Sequence, residues 1–235
     1  MSRATGRSTL QILFESKDEY AVYKPKGMAC EKRIDIEKDS LVAILTETLN
    51  QQIYLPHRLD AVTCGIVLAA RSKEAVAFHN KQIADRLWKK HYIARVTWPD
   101  GFHSEQLIGR HKAFLKRKGN RSVVVASGGA PSFLEILAIE PVQGAPHERH
   151  VLVRLLTGRY HQIRAMFQAM GIPLCGDPMY PGGNQTDESF YLEHASLGFV
   201  SMQDGKWQRI ITPRARLDEP VGERLYKKLC HESTI

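Results

Sequence analysis

Residues 110–156 read RHKAFLKRKGNRSVVVASGGAPSFLEILAIEPVQGAPHERHVLVRLL, and this stretch decides the fold class. Gly119-Asn120 supplies turn chemistry between a run of cations and Ser122–Ala126, whose valines favour an extended chain. The pair predicts a hairpin. Phe133–Ile139 and His150–Leu156 read as two further strands. Four strand candidates thus follow one another without an intervening helix, whereas parallel pairing needs a long crossover between strands. The stretch therefore points to antiparallel pairing.

Working outward, a helix is expected from His161 to Met170, stopped by Gly171 with Pro173 beyond it. A Pro/Gly loop follows at Asp177–Asn184, then a short strand near Leu197–Val200. Towards the N-terminus, Tyr92–Thr97 alternates, with Tyr92, Ala94 and Val96 on one face and Ile93, Arg95 and Thr97 on the other. Ser72 caps an expected helix to Lys89, in which Val76, Ile83 and Leu87 share a side. Ile66–Ala70 is a buried-strand candidate, and Ser40 caps a helix through Leu49. Gln11–Phe14 and Tyr20–Tyr23 are short strands, the second ending at the turn Lys24-Pro25-Lys26-Gly27. Strands outnumber helices without strict alternation, which predicts an α+β protein with a mixed, largely antiparallel central sheet flanked by helices. Residues 1–10 read as a basic, disordered N-terminus and residues 11–235 as one domain.

Composition narrows the class. At 43% hydrophobic and 25% charged, the 235-residue chain has enough apolar matter for a sizeable core, which excludes whole-chain disorder. The longest apolar run, Gly65–Ala70, is far too short for a membrane span. Lys and Arg number 33 against 25 Asp and Glu, and the resulting +8 favours a polyanionic partner, nucleic acid ahead of acidic membrane. Four cysteines lie far apart with no C-x-x-C, which argues against a zinc ribbon or a disulfide framework and makes the reducing cytoplasm the default location.

Three polar clusters flank the strands. His57-Arg58-Leu59-Asp60 closes on Thr63-Cys64-Gly65; there Asp60 is a nucleophile, a base or a turn cap, and spacing alone favours the cap. Lys90-His91-Tyr92-Ile93-Ala94 holds a tyrosine whose ordinary explanation is a core residue at a strand edge. Thr157-Gly158-Arg159-Tyr160-His161-Gln162-Ile163-Arg164 enters a helix, where Arg159 and Arg164 read as solvated or anion-binding. Arg110, Lys112, Lys116, Arg117, Lys118 and Arg121 form a run of cations with no acid between them. It is a solvated charge run or a grip on phosphates. No second ligand stands at helical metal spacing beside His57, and the pair His147 and His150 is a weak metal signal, so no metal is expected.

Taken in order, the strings YKPKGM, HRLDAVTCGIVLAAR, KKHYIARV and RLLTGRYHQIRAMFQAMGIPLCGDPMY closely resemble the RluA-type RNA pseudouridine synthases, from about residue 15 to residue 200. That resemblance implies the pseudouridine synthase fold, with Asp60 as the catalytic aspartate. It implies Tyr92 as the tyrosine that stacks on the target uracil and Arg164 as the arginine paired with the carboxylate. Arg58 and Thr63 support the same motif, and Arg159, His161, Gln162, Lys116, Arg117 and Lys118 are the expected substrate contacts. Three departures stand out. Cys64 occupies the place of a serine, the stretch Gly128–Ser132 lacks a lysine the family commonly carries, and Glu193 is added in Leu192-Glu193-His194-Ala195.

The implied reaction breaks a C–N glycosidic bond, turns the base and rejoins it through carbon, with no oxidation and no group transferred. Neither cofactor nor metal is therefore expected. The implied partner is RNA, a tRNA or rRNA stem-loop with a flipped uridine, acted on by a monomer without a membrane. About twenty residues precede YKPKGM, too few for the S4-type module that many relatives carry. Two rivals remain. A non-catalytic RNA-binding protein of the same fold would have lost Asp60, Tyr92 or Arg164, and a metal-dependent hydrolase would need a ligand cluster.

Overall fold

The structure, a computed structural model, describes residues 10–32, 40–102, 107–180 and 189–232. Most of the N-terminal basic segment, and the end of the loop expected at 177–184, lie outside the described residues. Ten strands form one sheet: β1 (Gln11–Glu15), β2 (Glu19–Lys24), β3 (Cys64–Ala70), β4 (Lys89–Thr97), β5 (Gly109–Lys118), β6 (Arg121–Val125), β7 (Ala130–Val142), β8 (Ala145–Leu155), β9 (Leu192–Val200) and β10 (Trp207–Ile211). Their order is β1-β2-β3-β9-β4-β8-β7-β5-β6, with β10 also pairing β9. Among the described residues only β3 and β9 run parallel, so the sheet is mixed and largely antiparallel, as expected.

Among the described residues four α-helices accompany it: α1 (Leu41–Leu49), α2 (Lys73–Ala84), α3 (Gln162–Ala169) and α4 (Glu223–Glu232). Ser40 and Ser72 cap the first two, their hydroxyls accepting the N–H of Ala43 and Ala75 at 3.2 and 3.1 Å. The alternation along β4 sorts the two faces. Tyr92, Ala94 and Val96 join Leu41, Leu45, Ile163 and Phe167 in the larger core, beneath α1 and α3. Ile93 turns to the opposite face, with Leu225 and Leu229 of α4. Farther along that face, Trp88, Ile66, Leu68 and Phe199 pack with Ile83 of α2.

Sequence periodicity overextends α2. The helix ends at Ala84, not Lys89, because Arg86 takes a left-handed conformation with φ 58° and turns the chain. Leu87 is consequently 49% exposed, Trp88 is buried, and Lys89 already belongs to β4. Two elements carried no usable signal. β10 is one, and α4 the other; its apolar stripe is narrow, and its outer face is laced by Glu223–Lys227 and Lys228–Glu232 pairs, both at 2.7 Å.

β3 and β9 pair at only two positions, Cys64 with Glu193 and Gly65 with His194. Gly65 has φ +110°, and a Cβ there would lie 2.5 Å from the His194 carbonyl oxygen, so only glycine permits this approach. Beyond the pairing, side chains take the place of a strand. His194 Nδ1–H donates to Ile66 O at 2.6 Å, and Leu68 N–H donates to His57 Nε2 at 2.9 Å.

Candidate active site

Asp60 sits on the loop leading into β3. The turn there is closed by its backbone, Thr63 N–H donating to Asp60 O at 3.0 Å, which leaves the carboxylate free of the capping role that spacing favoured. The loop is fixed from below. Lys24, fully buried at the end of β2, donates from Nζ to Met28 O at 2.8 Å, Pro25 O at 3.0 Å and Ala61 O at 3.3 Å. Gly27 N–H also reaches Ala61 O, at 2.8 Å. Burial pulls the Lys24 ammonium down to about 8, partly opposed by Cys30, Cys64 and Asp60. Lys24 was missed from sequence, since a lysine entering a Pro-Gly turn ordinarily faces water.

Arg164, in the first turn of α3, is only 3% exposed, yet its guanidinium touches two carboxylates. Nε and Nη2 donate to the two oxygens of Asp177 at 2.7 and 2.8 Å, and Nη1 donates to Asp60 Oδ2 at 3.1 Å. Burial works against its charge, but the two acids outweigh burial and raise its pKa further. The Asp177 side chain is fully buried and also accepts the N–H groups of Met179 and Tyr180, at 2.9 and 3.1 Å. It thus holds a buried cation whose free edge meets a carboxylate still 27% exposed. Asp177 lay unremarked inside the quoted string CGDPMY, because an aspartate before proline reads as a turn residue.

Tyr180, His161 and Tyr92 surround the Asp60–Arg164 pair. Tyr180 packs its ring 5.1 Å from the Arg164 guanidinium carbon. Its hydroxyl bridges to β6, accepting Ser122 N–H at 2.7 Å and donating to Ser122 O at 3.0 Å. His161 has φ 50° at the start of α3, which brings Nε2 to 3.5 Å from Asp60 while Nδ1 lies 3.2 Å from the Tyr180 hydroxyl. Burial lowers the His161 pKa, against the pull of Asp60. The Tyr92 ring stacks on His194, centroids 4.6 Å apart and planes within 15°. Burial, reinforced by the Asp60 charge, raises its phenol pKa and keeps it protonated.

The remaining expected contacts fall into three groups. Thr63 is buried within the turn. Gln162 binds within the fold: Thr157 Oγ1–H and Arg159 N–H donate to its Oε1 at 2.8 and 3.0 Å, and its amide donates to Phe133 O at 3.0 Å. Arg159, Lys116, Arg117 and Lys118 are exposed, as is Arg58, which is 69% exposed and pairs with Glu31 at 2.8 Å. The basic hairpin of β5 and β6 is part of the main sheet through β7 and is tied to α3 through Tyr180.

The departures from the family pattern become intelligible. Cys64 and Glu193 face the α4 side of the sheet, away from Asp60, where the thiol lies 3.7 Å from Leu192 O. At Gly129 a Cβ would come within 3.0 Å of the β5 backbone, so no lysine fits that position here.

The chain has the fold of pseudouridine synthases. Human RNA pseudouridylate synthase domain containing 1 superposes with a TM-score of 0.73 over 96% of this chain and 94% of its own, at 20% identity. Domain containing 4 gives 0.68 over 93% and 91%, at 15% identity. A family model, RNA pseudouridylate synthase, matches residues 19–169. The chain belongs to this family and is of its RluA type. Among its relatives are the dual-specificity RNA pseudouridine synthase RluA of Escherichia coli, 30% identical over 73% of this chain and 77% of the relative, and an uncharacterised RNA pseudouridine synthase of Mycoplasma pneumoniae, 30% identical over 92% of this chain and 69% of the relative. The match to a Mycoplasma genitalium counterpart spans 58% of that protein's length. No helix among the described residues is long and apolar enough to cross a membrane.

Proposed function

We propose that this enzyme converts a specific uridine in structured RNA, a tRNA or large-subunit rRNA stem-loop, to pseudouridine, with Asp60 as the catalytic carboxylate. The observation that carries the proposal is the chain Asp177–Arg164–Asp60: a partly exposed carboxylate gripped at 3.1 Å by a buried cation that is itself clamped by a buried acid. The buried, pre-oriented guanidinium fixes the direction of that carboxylate and complements its charge beneath a flipped nucleotide. Asp60 then acts on the sugar or the base as nucleophile or proton acceptor. The glycosidic bond to N1 breaks, the bond from C5 to the anomeric carbon forms, C5 gives up its proton and N1 takes one up, so that product and substrate are isomers.

Tyr92 serves as the shelf on which the extruded uracil lies. Its protonated phenol is a poor base, which favours stacking over proton removal. Arg58, Arg159 and the hairpin cations Lys116, Arg117 and Lys118 would neutralise phosphates around the flipped nucleotide. The enzyme would work as a cytoplasmic monomer. The test is tritium release from RNA labelled at uridine C5: wild type releases tritium, and Asp60→Asn, near-isosteric but unable to attack or accept a proton, does not. Residual turnover above about a tenth of wild type would sink the assignment of Asp60.

A further inference from the structure

Tyr160 is the single aromatic among the exposed large apolar side chains of the described residues, 41% exposed, and it stands at the rim of the site. Its ring stacks on that of His161, centroids 3.9 Å apart and planes within 23°. One imidazole therefore separates it from Asp60, since His161 Nε2 is 3.5 Å from that carboxylate. Its hydroxyl donates to Asn120 O at the hairpin tip, at 3.0 Å, which fixes the ring's orientation from the other side. The Arg117 guanidinium carbon lies 4.7 Å from the Tyr160 centroid; because His161 fills one face, Arg117 covers the other. Arg117 is exposed, donates from Nε to Gly119 O at 3.1 Å, and pairs with no carboxylate among the described residues.

We infer that Tyr160 is a second nucleobase site, on which an unpaired base adjacent to the target uridine stacks while Arg117 swings from the ring onto a phosphate. The inference rests on the reading of Asp60 as the centre of an RNA pseudouridine synthase and adds what the neighbouring nucleotide meets. Base stacking on an aromatic ring outweighs an exposed cation–π contact, so the exchange favours the base. The displaced guanidinium gains a phosphate oxygen in return. The ring needs no reorganisation, because His161 and Asn120 already hold it, and Arg159, Lys118 and Arg121 supply further exposed cations in the flanking segments. Stacking reads no base edge, so the site selects for an unpaired, unstacked neighbour. It restricts the enzyme to uridines in loops.

The probes are hairpin RNAs whose loop holds one uridine, with 2-aminopurine placed in turn at each flanking loop position. Wild type should quench the fluorophore at one flanking position, and Tyr160→Phe, which keeps the ring and loses only the Asn120 bond, should quench it equally. Tyr160→Leu fills space without stacking; it should lose most of that quenching, and its kcat/KM for tritium release from bulk labelled RNA should fall roughly ten- to hundredfold. Unchanged quenching in Tyr160→Leu overturns the inference, and so does an absence of quenching at every position. Equal loss in Tyr160→Phe and Tyr160→Leu overturns it too, since Tyr160 would then merely pin the hairpin. A wild type that quenches but releases no tritium from any RNA would overturn the isomerase reading and leave the base site standing.

Discussion

Asp177→Asn tests the central geometry most sharply. The substitution keeps the shape of a fully buried side chain. Oδ1 can still accept Met179 N–H, Tyr180 N–H and Arg164 Nη2, now at 2.9, 3.1 and 2.8 Å. Oδ2, however, which accepts Arg164 Nε at 2.7 Å, becomes an NH2 group facing another donor. One charge-assisted bond is lost, worth about 1.5–3 kcal/mol, and a buried guanidinium loses one of its two partner charges. Removing one partner of a buried pair costs about 3–5 kcal/mol. With three of the four bonds retained, the lower end, about 3 kcal/mol, is expected. For a urea slope of about 3 kcal/mol/M this moves the unfolding midpoint down by about 1 M.

The catalytic effect follows from orientation. Arg164 would turn towards its one remaining carboxylate, Asp60, and a displacement near 1 Å at a reacting group costs on the order of a hundredfold. Single-turnover tritium release, measured at a temperature where circular dichroism shows the variant folded, should therefore fall about a hundredfold with RNA affinity little changed. A folded variant with an unshifted urea midpoint and wild-type turnover would refute the reasoning, because Asp177 would then neither hold Arg164 nor matter to Asp60.

Replacing Lys116, Arg117 and Lys118 together by Ala should weaken RNA binding and reduce the log–log salt slope by roughly 0.7 per lost phosphate contact, about 2 in all; an unchanged slope would make the hairpin a solvated charge run. Burial pushes the Glu193 carboxyl up to about 7, opposed by hydrogen bonds from Asp218 N–H and Tyr191 OH, each at 3.0 Å. The unfolded chain ionises this group at lower pH than the folded one does, so wild-type stability falls as pH rises towards 7. Glu193→Gln should gain on the order of 2–3 kcal/mol relative to wild type across that window, and urea titrations with identical pH dependence for both would contradict this. Gly65→Ala drives a Cβ to within 2.5 Å of the His194 carbonyl oxygen at a positive φ, and should cost about 3 kcal/mol or more; a variant with unaltered thermal midpoint would remove the steric argument.

The sequence announced those parts of the site that lie in ungapped motifs. HRLD, K-x-Y and TGR-x-HQIR each hold a residue of the candidate site, and the fold brings Asp60, His161 and Arg164 together across about a hundred residues. What stayed hidden depended on burial that local pattern cannot reveal. Lys24 looks like a turn lysine until the chain folds over it, and Asp177 looks like a loop acid until Arg164 arrives from α3. Secondary structure failed in the same physical way. Ala84–His91 is rich in helix-favouring residues, yet the pairing of Lys89 and Lys90 with β9 overrides that preference. α4 is too polar on its outer face to declare itself without the sheet beneath Leu225 and Leu229.

The short pairing of β3 with β9 has a consequence for the first residue of the HRLD motif. Where the two strands part, His57 and His194 act as stitches across the opening, and the stitches depend on protonation state: His57 Nε2 must present a lone pair to Leu68 N–H. Burial, with His194 and Lys90 adding to it, holds His57 well below its ordinary value. Burial likewise takes His194 down to about 3, against its bond to Ile66 O. Burial thus favours the neutral form of both rings. His57 precedes Asp60 by three residues, so one tetrapeptide closes a gap in the sheet at one end and offers its carboxylate at the other. Loosening the stitch would let the carboxylate drift from Arg164 with every side chain of the candidate site still present, a change that originates in the framework.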